Sequence, residues 1–130
     1  MDDPTILDTE KIARYIFENS KFKSDGVDHR IFLPRPNQDT SVFRVGGLSI
    51  EQVTALGTEH VQTEATRPVL GWAELAAARV RAIQLTLRPD EPPPLHALIG
   101  GWQSAPEDRR SAAMALAAAS SAHKVAGRRP

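Results

Sequence analysis

Two apolar runs joined by a polar turn constrain the fold of this chain more than any other feature. Residues 31–33 and 42–45 flank a segment that holds two prolines, an asparagine and an aspartate. β-Branched and aromatic residues on either side of such a turn are typical of a β-hairpin. Phe32 and Phe43, two of the four phenylalanines, lie in these runs. We therefore predict a hairpin over residues 27–45, with a short additional strand around Phe22.

The segment before this hairpin has the spacing of an amphipathic helix. Ile12, Tyr15 and Ile16 fall on one face of a helical wheel, and charged residues fall elsewhere. A threonine at position 9 can cap the first turn. The pattern predicts a helix over residues 9–19.

A capping box gives the clearest local signal in the chain. Ser49 is followed three residues later by Gln52, and Leu48 and Val53 are placed to form a hydrophobic staple. The pattern predicts a helix over residues 50–59.

The second half of the chain contains three further elements. Trp72, Ala76, Val80 and Ile83 form one helical stripe, which predicts a helix over residues 73–84. A short run at 85–87 predicts a strand, and the run at 96–99 predicts a strand or a buried extended segment. A second capping box at residues 104–107 predicts a helix that ends near His123.

These elements together predict an α+β fold. Its sheet is small, mainly antiparallel and built on the 27–45 hairpin, with about four helices packed chiefly on one face. The length of 130 residues predicts a single globular domain. Residues 1–7 and 125–130 are predicted to be flexible ends.

Composition narrows the classes of protein to be considered. Sixteen basic and sixteen acidic residues cancel to zero net charge, which argues against a nucleic-acid-binding protein. The absence of cysteine removes disulfides and thiol chemistry, and an acidic N-terminus is unlike a signal peptide. Arginine outnumbers lysine twelve to four, the bias of a GC-rich bacterial genome. We predict a bacterial, cytoplasmic protein with no membrane association.

Among the four histidines, His96 is the leading catalytic candidate. It lies between three consecutive prolines and an apolar run, so that its backbone is well fixed. Such a histidine can serve as a general base or contact a phosphate. His29 and Arg44 are further candidates, and a cleft holding all three would suit a phosphate-bearing substrate. A ring bonded to a loop carbonyl and an ordinary strand arginine are the structural alternatives. No spacing typical of metal ligands occurs, and no cofactor is predicted.

A pair of glycines follows the His96 run and precedes the last predicted helix. Gly100 and Gly101 have the order of an anion-binding loop, although a tight turn explains them as well. Trp102 adds an aromatic surface beside them. We predict that any specific binding surface includes His96 or Trp102, and Gly100 and Gly101 are the other binding candidates.

Three functions are compatible with these observations. The first, favoured by neutral charge and the lack of a catalytic motif, is an accessory protein that binds another protein or itself. The second is an enzyme that acts on a phosphate-bearing or nucleotide substrate through His96, His29 and Arg44. The third is a nucleic-acid-binding module that uses the arginines between positions 67 and 88 and the basic tail.

Overall fold

In a computed structural model that describes residues 2–125, six antiparallel strands form one sheet. The strands are β1 (Lys11–Ile16), β4 (Thr40–Arg44), β5 (Gly71–Ala76), β6 (Thr86–Pro89), β7 (His96–Gly100) and β8 (Ser121–Lys124). Their spatial order is β6-β7-β4-β1-β5-β8. Two short strands, β2 (Phe22–Lys23) and β3 (Gly26–Val27), pair separately. The predicted mainly antiparallel sheet is thus confirmed, as is the strand around Phe22.

Three α-helices accompany the sheet, where about four were predicted. They are α1 (Ile50–His60), α2 (Ala77–Ala82) and α3 (Pro106–Ala119). Two single-turn 3-10 helices cover Asn19–Lys21 and His29–Phe32. None of the helices within residues 2–125 has the length and apolarity required to cross a bilayer.

The prediction of a helix over residues 9–19 is wrong, because this segment forms β1 at the centre of the sheet. Ile12 and Ile16 are buried against one face, and Ala13 and Tyr15 are buried against the other. A strand buried on both faces carries apolar residues at nearly every position, so its pattern also satisfies a helical spacing. Packing against the rest of the protein therefore decides whether this segment forms a strand or a helix.

The predicted hairpin over residues 27–45 is also wrong, although its second strand is present as β4. The Asp28 carboxylate accepts a hydrogen bond from the backbone N–H of Arg30 and so caps the 3-10 helix at His29–Phe32. A side chain that bonds nearby backbone in this way competes with strand formation. β4 pairs instead with β1 and β7, which are distant in sequence.

The helix predicted over residues 50–59 is confirmed as α1. Ser49 accepts a hydrogen bond from the Gln52 N–H, and the Gln52 side chain accepts one from the Ser49 N–H. The Tyr15 hydroxyl donates to the Val53 carbonyl at 2.6 Å and ties α1 to β1. Gly57 lies against the Tyr15 ring, since a Cβ built there would be 2.5 Å from Cε1. The glycine therefore allows the close approach of helix and sheet.

The two later helices differ from their predicted bounds. Only the second half of the 73–84 segment is helical, because Gly71–Ala76 pairs with β1 along its whole length. α3 starts with Ala105 as its N-cap and no capping side chain, so the second capping box is absent. It ends at Ala119, and the Ser120 hydroxyl bonds the Ala117 carbonyl. The chain then enters β8 and pairs with β5.

The sheet separates two apolar clusters. One contains residues of α2 and α3 and of the second 3-10 helix, and the other contains residues of α1. Two of the three helices thus cover one face, and α1 covers the opposite face beside Tyr15, Phe43 and Trp72.

The N-terminal segment, predicted from the sequence to be flexible, contacts β6 and α2. The Asp3 N–H donates to the Leu87 carbonyl, and the Leu87 N–H donates to the Asp2 carboxylate. Ile6 is fully buried, and Arg81 pairs with Asp2. Of the predicted C-terminal flexible end, 126–130 lie outside the described residues.

The capping box can be tested by removing its hydroxyl. Replacing Ser49 by Ala leaves a backbone donor of α1 without its acceptor, so we expect a loss of about 1 kcal/mol in the free energy of unfolding. Ser49→Asn, which retains a capping oxygen, is the control and should stay near the wild type. Equal chemical-denaturation midpoints for the wild type and Ser49→Ala would contradict this helix start.

A second stability test concerns Gly57. Alanine raises helix propensity by up to about 1 kcal/mol, yet its methyl group would overlap the buried Tyr15 ring. Because that ring is fixed by its hydrogen bond to Val53, we expect Gly57→Ala to destabilise the fold by about 1–3 kcal/mol. Thr58→Ala, on the exposed side of α1, should not destabilise it. Thermal unfolding of both variants measures the difference.

Candidate functional site

An opening lies where β1 and β4 diverge. These strands pair only at Ile12 with Arg44 and at Ala13 with Phe43. Beyond that point, residues 14–18 and 38–41 border a cavity of about 650 Å³, which we call the β1–β4 cleft. A gap between neighbouring central strands leaves backbone groups without the usual ladder partners. The groups that bond to these backbone atoms in place of a neighbouring strand therefore determine the chemistry of the cleft.

Arg14 supplies those partners from within the cleft. Its Nε donates to the Ile31 carbonyl at 2.9 Å, and its Nη1 donates to the Ser41 carbonyl at 2.9 Å. Nη2 has no hydrogen-bond partner among residues 2–125. Among the described side-chain polar atoms, the Trp72 indole nitrogen is the only one that is both buried and without a hydrogen-bond partner. Because Arg14 Nη2 also has no partner, it is not fully buried and is accessible from the cleft.

The charge of Arg14 is not balanced by a carboxylate. No acidic group of residues 2–125 lies within 4.0 Å of its guanidinium, whereas five other arginines each have such a partner. Burial, and then the neighbouring positive charge of Arg35, lower the pKa of Arg14 from its ordinary value. An arginine nevertheless stays protonated in proteins, so a partly buried positive charge remains in the cleft.

The remaining charges of the cleft are also mostly positive. Its wall includes the basic residues Lys21, Arg30, Arg35 and Arg67 and the acidic residues Glu18 and Asp39. Both acids already have arginine partners, Arg67 at 3.0 Å and Arg88 at 3.3 Å respectively. The cleft therefore presents an excess of positive charge despite the neutral composition of the chain.

The second 3-10 helix holds the Ile31 carbonyl in place for Arg14. Asp28, whose carboxylate is nearly inaccessible, caps this helix and binds the Arg30 guanidinium at 2.6 Å. This pairing with Arg30 holds the pKa of Asp28 well below its usual range. The ionised carboxylate therefore stabilises one wall of the cleft.

The pH dependence of stability tests this role of Asp28. Because the folded pKa lies below the ordinary value of 3.8, the charge stabilises the fold above about pH 4, and that contribution disappears as the pH falls through the folded pKa. Asp28→Asn keeps a capping oxygen but loses the charge, and we expect it to cost about 1 kcal/mol at pH 7. The difference from the wild type should shrink below about pH 4. A difference that is constant with pH, or equal to that of the exposed Asp25→Asn control, would contradict the assignment.

His96 lies in a chain of hydrogen bonds that reaches the cleft. Its Nδ1 is 3.0 Å from the Asp90 carbonyl oxygen and 3.2 Å from Asp90 Oδ2. Both atoms are acceptors, so Nδ1 donates to them, and in the tautomer with its single hydrogen on Nδ1 the Nε2 atom is an acceptor. The Ser41 hydroxyl therefore donates to Nε2. Ser41 lines the β1–β4 cleft, while the His96 ring is 13% exposed and packs against Phe43.

His29 and Arg44, the other two catalytic candidates, make separate contacts. Arg44 forms a two-pronged pair with Glu10 at 2.8 and 2.9 Å. His29 Nδ1 is 3.7 Å from Asp28, and its side chain lines a second cavity beside Arg110 and Met114. The three predicted residues thus contact three different acids, and only His96 is bonded to a residue of the cleft.

The glycine pair has structural roles near β6. A Cβ on Gly100 would be 3.0 Å from the Asp39 carboxylate, a neighbour that disfavours an anion. Gly101 has φ +76°, a conformation that favours glycine. The partly buried Trp102 donates its indole N–H to the Ile99 carbonyl at 2.9 Å. A binding role for these residues stays a prediction.

Sequence reasoning missed Arg14 and Ser41. Arg14 was assigned to the polar side of a helix that does not exist. Ser41 is 55 positions from His96, and only the register that sets Phe43 opposite His96 brings them together. No local motif encodes that register.

Comparison with protein-family models, curated proteins and solved structures gives no match. Within residues 2–125, no group of three or more histidine, aspartate or glutamate side chains is arranged to hold a metal ion.

Proposed function

We propose that the protein binds a small anionic molecule, through a carboxylate or phosphate group, in the β1–β4 cleft. The observation that carries the proposal is the guanidinium of Arg14, which is largely enclosed and has no carboxylate partner among residues 2–125. An enclosed charge without a counter-ion is costly, and an anion in the cleft would relieve that cost. The free Nη2 adds a directional donor suited to an oxyanion.

The surrounding charges support the same ligand class. Lys21 and Arg35 line the cleft and form no ion pair with residues 2–125, so their charges act on whatever enters. The volume of about 650 Å³ suits a small molecule. Binding of another protein, bacterial origin and cytoplasmic location remain predictions from the sequence.

Calorimetric titration with inorganic phosphate and with succinate tests the proposal. Arg14→Gln should weaken binding at least about tenfold, since a charge-assisted hydrogen bond contributes on the order of 1.4 kcal/mol or more. Arg35→Gln changes an exposed residue, so it should leave the fold intact and weaken binding a few-fold. Arg79→Gln, on the exposed side of α2, is the matched control and should bind as the wild type does.

Two results would overturn the proposal. One is the absence of binding by the wild type for both anions at millimolar concentration. The other is an equal loss of affinity in Arg35→Gln and Arg79→Gln, which would indicate a general effect of net charge. Because Arg14 also holds two carbonyl groups, circular dichroism must show that Arg14→Gln is folded, and Arg35→Gln decides the outcome if it is not.

A further inference from the structure

We propose that Ser41, His96 and Asp90 hydrolyse an ester bond in the anionic ligand, with Ser41 as the nucleophile. This inference rests on the anion binding proposed above, because Ser41 and Arg14 line the same cleft. The three side chains form the ordered chain of a serine hydrolase: hydroxyl, imidazole, carboxylate. Such a constellation is recognised by geometry and roles and occurs on unrelated folds.

The partners of the two ring nitrogens of His96 favour the tautomer that the reaction requires. The Asp90 carbonyl accepts the Nδ1 hydrogen and the Asp90 carboxylate lies 3.2 Å from the same nitrogen, which leaves Nε2 free to accept the Ser41 proton. Phe43 packs against the ring at a centroid distance of 5.2 Å and restricts its rotation. The imidazole is thereby held in the tautomer and orientation of a general base.

The divergence of β1 and β4 provides a donor for the oxyanion. Glu10 and Ile16 direct their carbonyls towards β5, and Lys11 directs its carbonyl towards β4. The backbone groups of successive strand residues point to opposite sides, so the N–H of Tyr15, like the carbonyl of Lys11, points towards β4. The pairing of β1 with β4 has already ended at Tyr15, so this N–H faces the cleft. This N–H is a donor of the kind that stabilises a tetrahedral intermediate.

The reaction proceeds in two balanced steps. The Ser41 Oγ attacks the ester carbonyl carbon while His96 takes its proton, and the alcohol leaves with that proton as the acyl-enzyme forms. Water then attacks the acyl carbon with His96 again as the base. The products are a carboxylic acid and regenerated Ser41, and no oxidant, reductant or metal is consumed.

The substrate class follows from the charges that line the β1–β4 cleft. Arg14 and Arg35 favour an ester that carries a second, ionised group, such as the half-ester of a dicarboxylic acid. A neutral ester of equal length lacks that interaction. We therefore expect the half-ester to be hydrolysed faster in terms of kcat/KM by about tenfold or more, equivalent to about 1.4 kcal/mol.

The experiment uses a fluorophosphonate probe and two p-nitrophenyl esters, the hemiglutarate and the valerate. We expect the probe to modify Ser41, as located by peptide mass spectrometry, and the hemiglutarate to release nitrophenolate with a burst. Ser41→Ala and His96→Gln should each lower the rate by about 100-fold or more. Ser104→Ala, an exposed serine whose hydroxyl forms no hydrogen bond within residues 2–125, is the matched control and should keep the full rate.

The outcomes separate this inference from the proposed function. Binding of succinate that depends on Arg35, without probe modification of Ser41 in the wild type, would overturn the hydrolase and leave anion binding intact. Modification of Ser41 with equal rates for both esters would support the nucleophile and overturn the anionic substrate. The peptide-level readout is made on the wild type, so it decides the matter even if Ser41→Ala does not fold.

Discussion

The guanidinium of Arg14 bridges β1 and β4 at the point where the backbone ladder between these two strands ends. β1 and β4 share two paired positions, and beyond these Arg14 bonds the carbonyls of Ile31 and Ser41. One side chain thus joins a central strand, its neighbour and the 3-10 helix beneath them. Because the same group carries a charge without an acidic partner among residues 2–125, it also places a positive charge in the β1–β4 cleft. Arg14 therefore both supports the sheet and carries the charge on which the proposed anion binding depends.

The second constraint is the pairing of strands that are remote in sequence. β4 lies between β1 and β7, and its register with β7 sets Phe43 opposite His96. Ser41 follows two positions away on the same face, within reach of the His96 ring. The loop that begins at Asp90 returns to His96, since the Asp90 N–H donates to the His96 carbonyl. The three groups are therefore positioned by backbone pairing, which holds them more firmly than mobile surface loops would.

Short sequence motifs predicted the elements that are stabilised by contacts between residues close in sequence. The capping box at Ser49 sets the start of α1 because its hydrogen bonds span three residues. The strands at β6 and β7 and the α+β class followed from apolar runs and turn residues. The segment of β1 was mistaken for a helix because burial on both faces removes the alternation that identifies a strand. His96 was predicted from its neighbouring prolines to have a well-fixed backbone, whereas its partners Ser41 and Asp90 depend on register and loop closure, which no short stretch of sequence encodes.

The contacts of the N-terminal segment have a consequence for assembly. β6 is an edge strand, and an edge presents unpaired backbone groups that can recruit a strand from another molecule. Here Asp3 and Asp2 occupy the carbonyl and the N–H of Leu87, and Arg81 fixes Asp2 from the side. The chain thereby covers its own edge with a short acidic segment. Because the N–H and the carbonyl of Leu87 are already bonded, this position of β6 can pair with a strand of a second molecule only if the N-terminal segment is displaced.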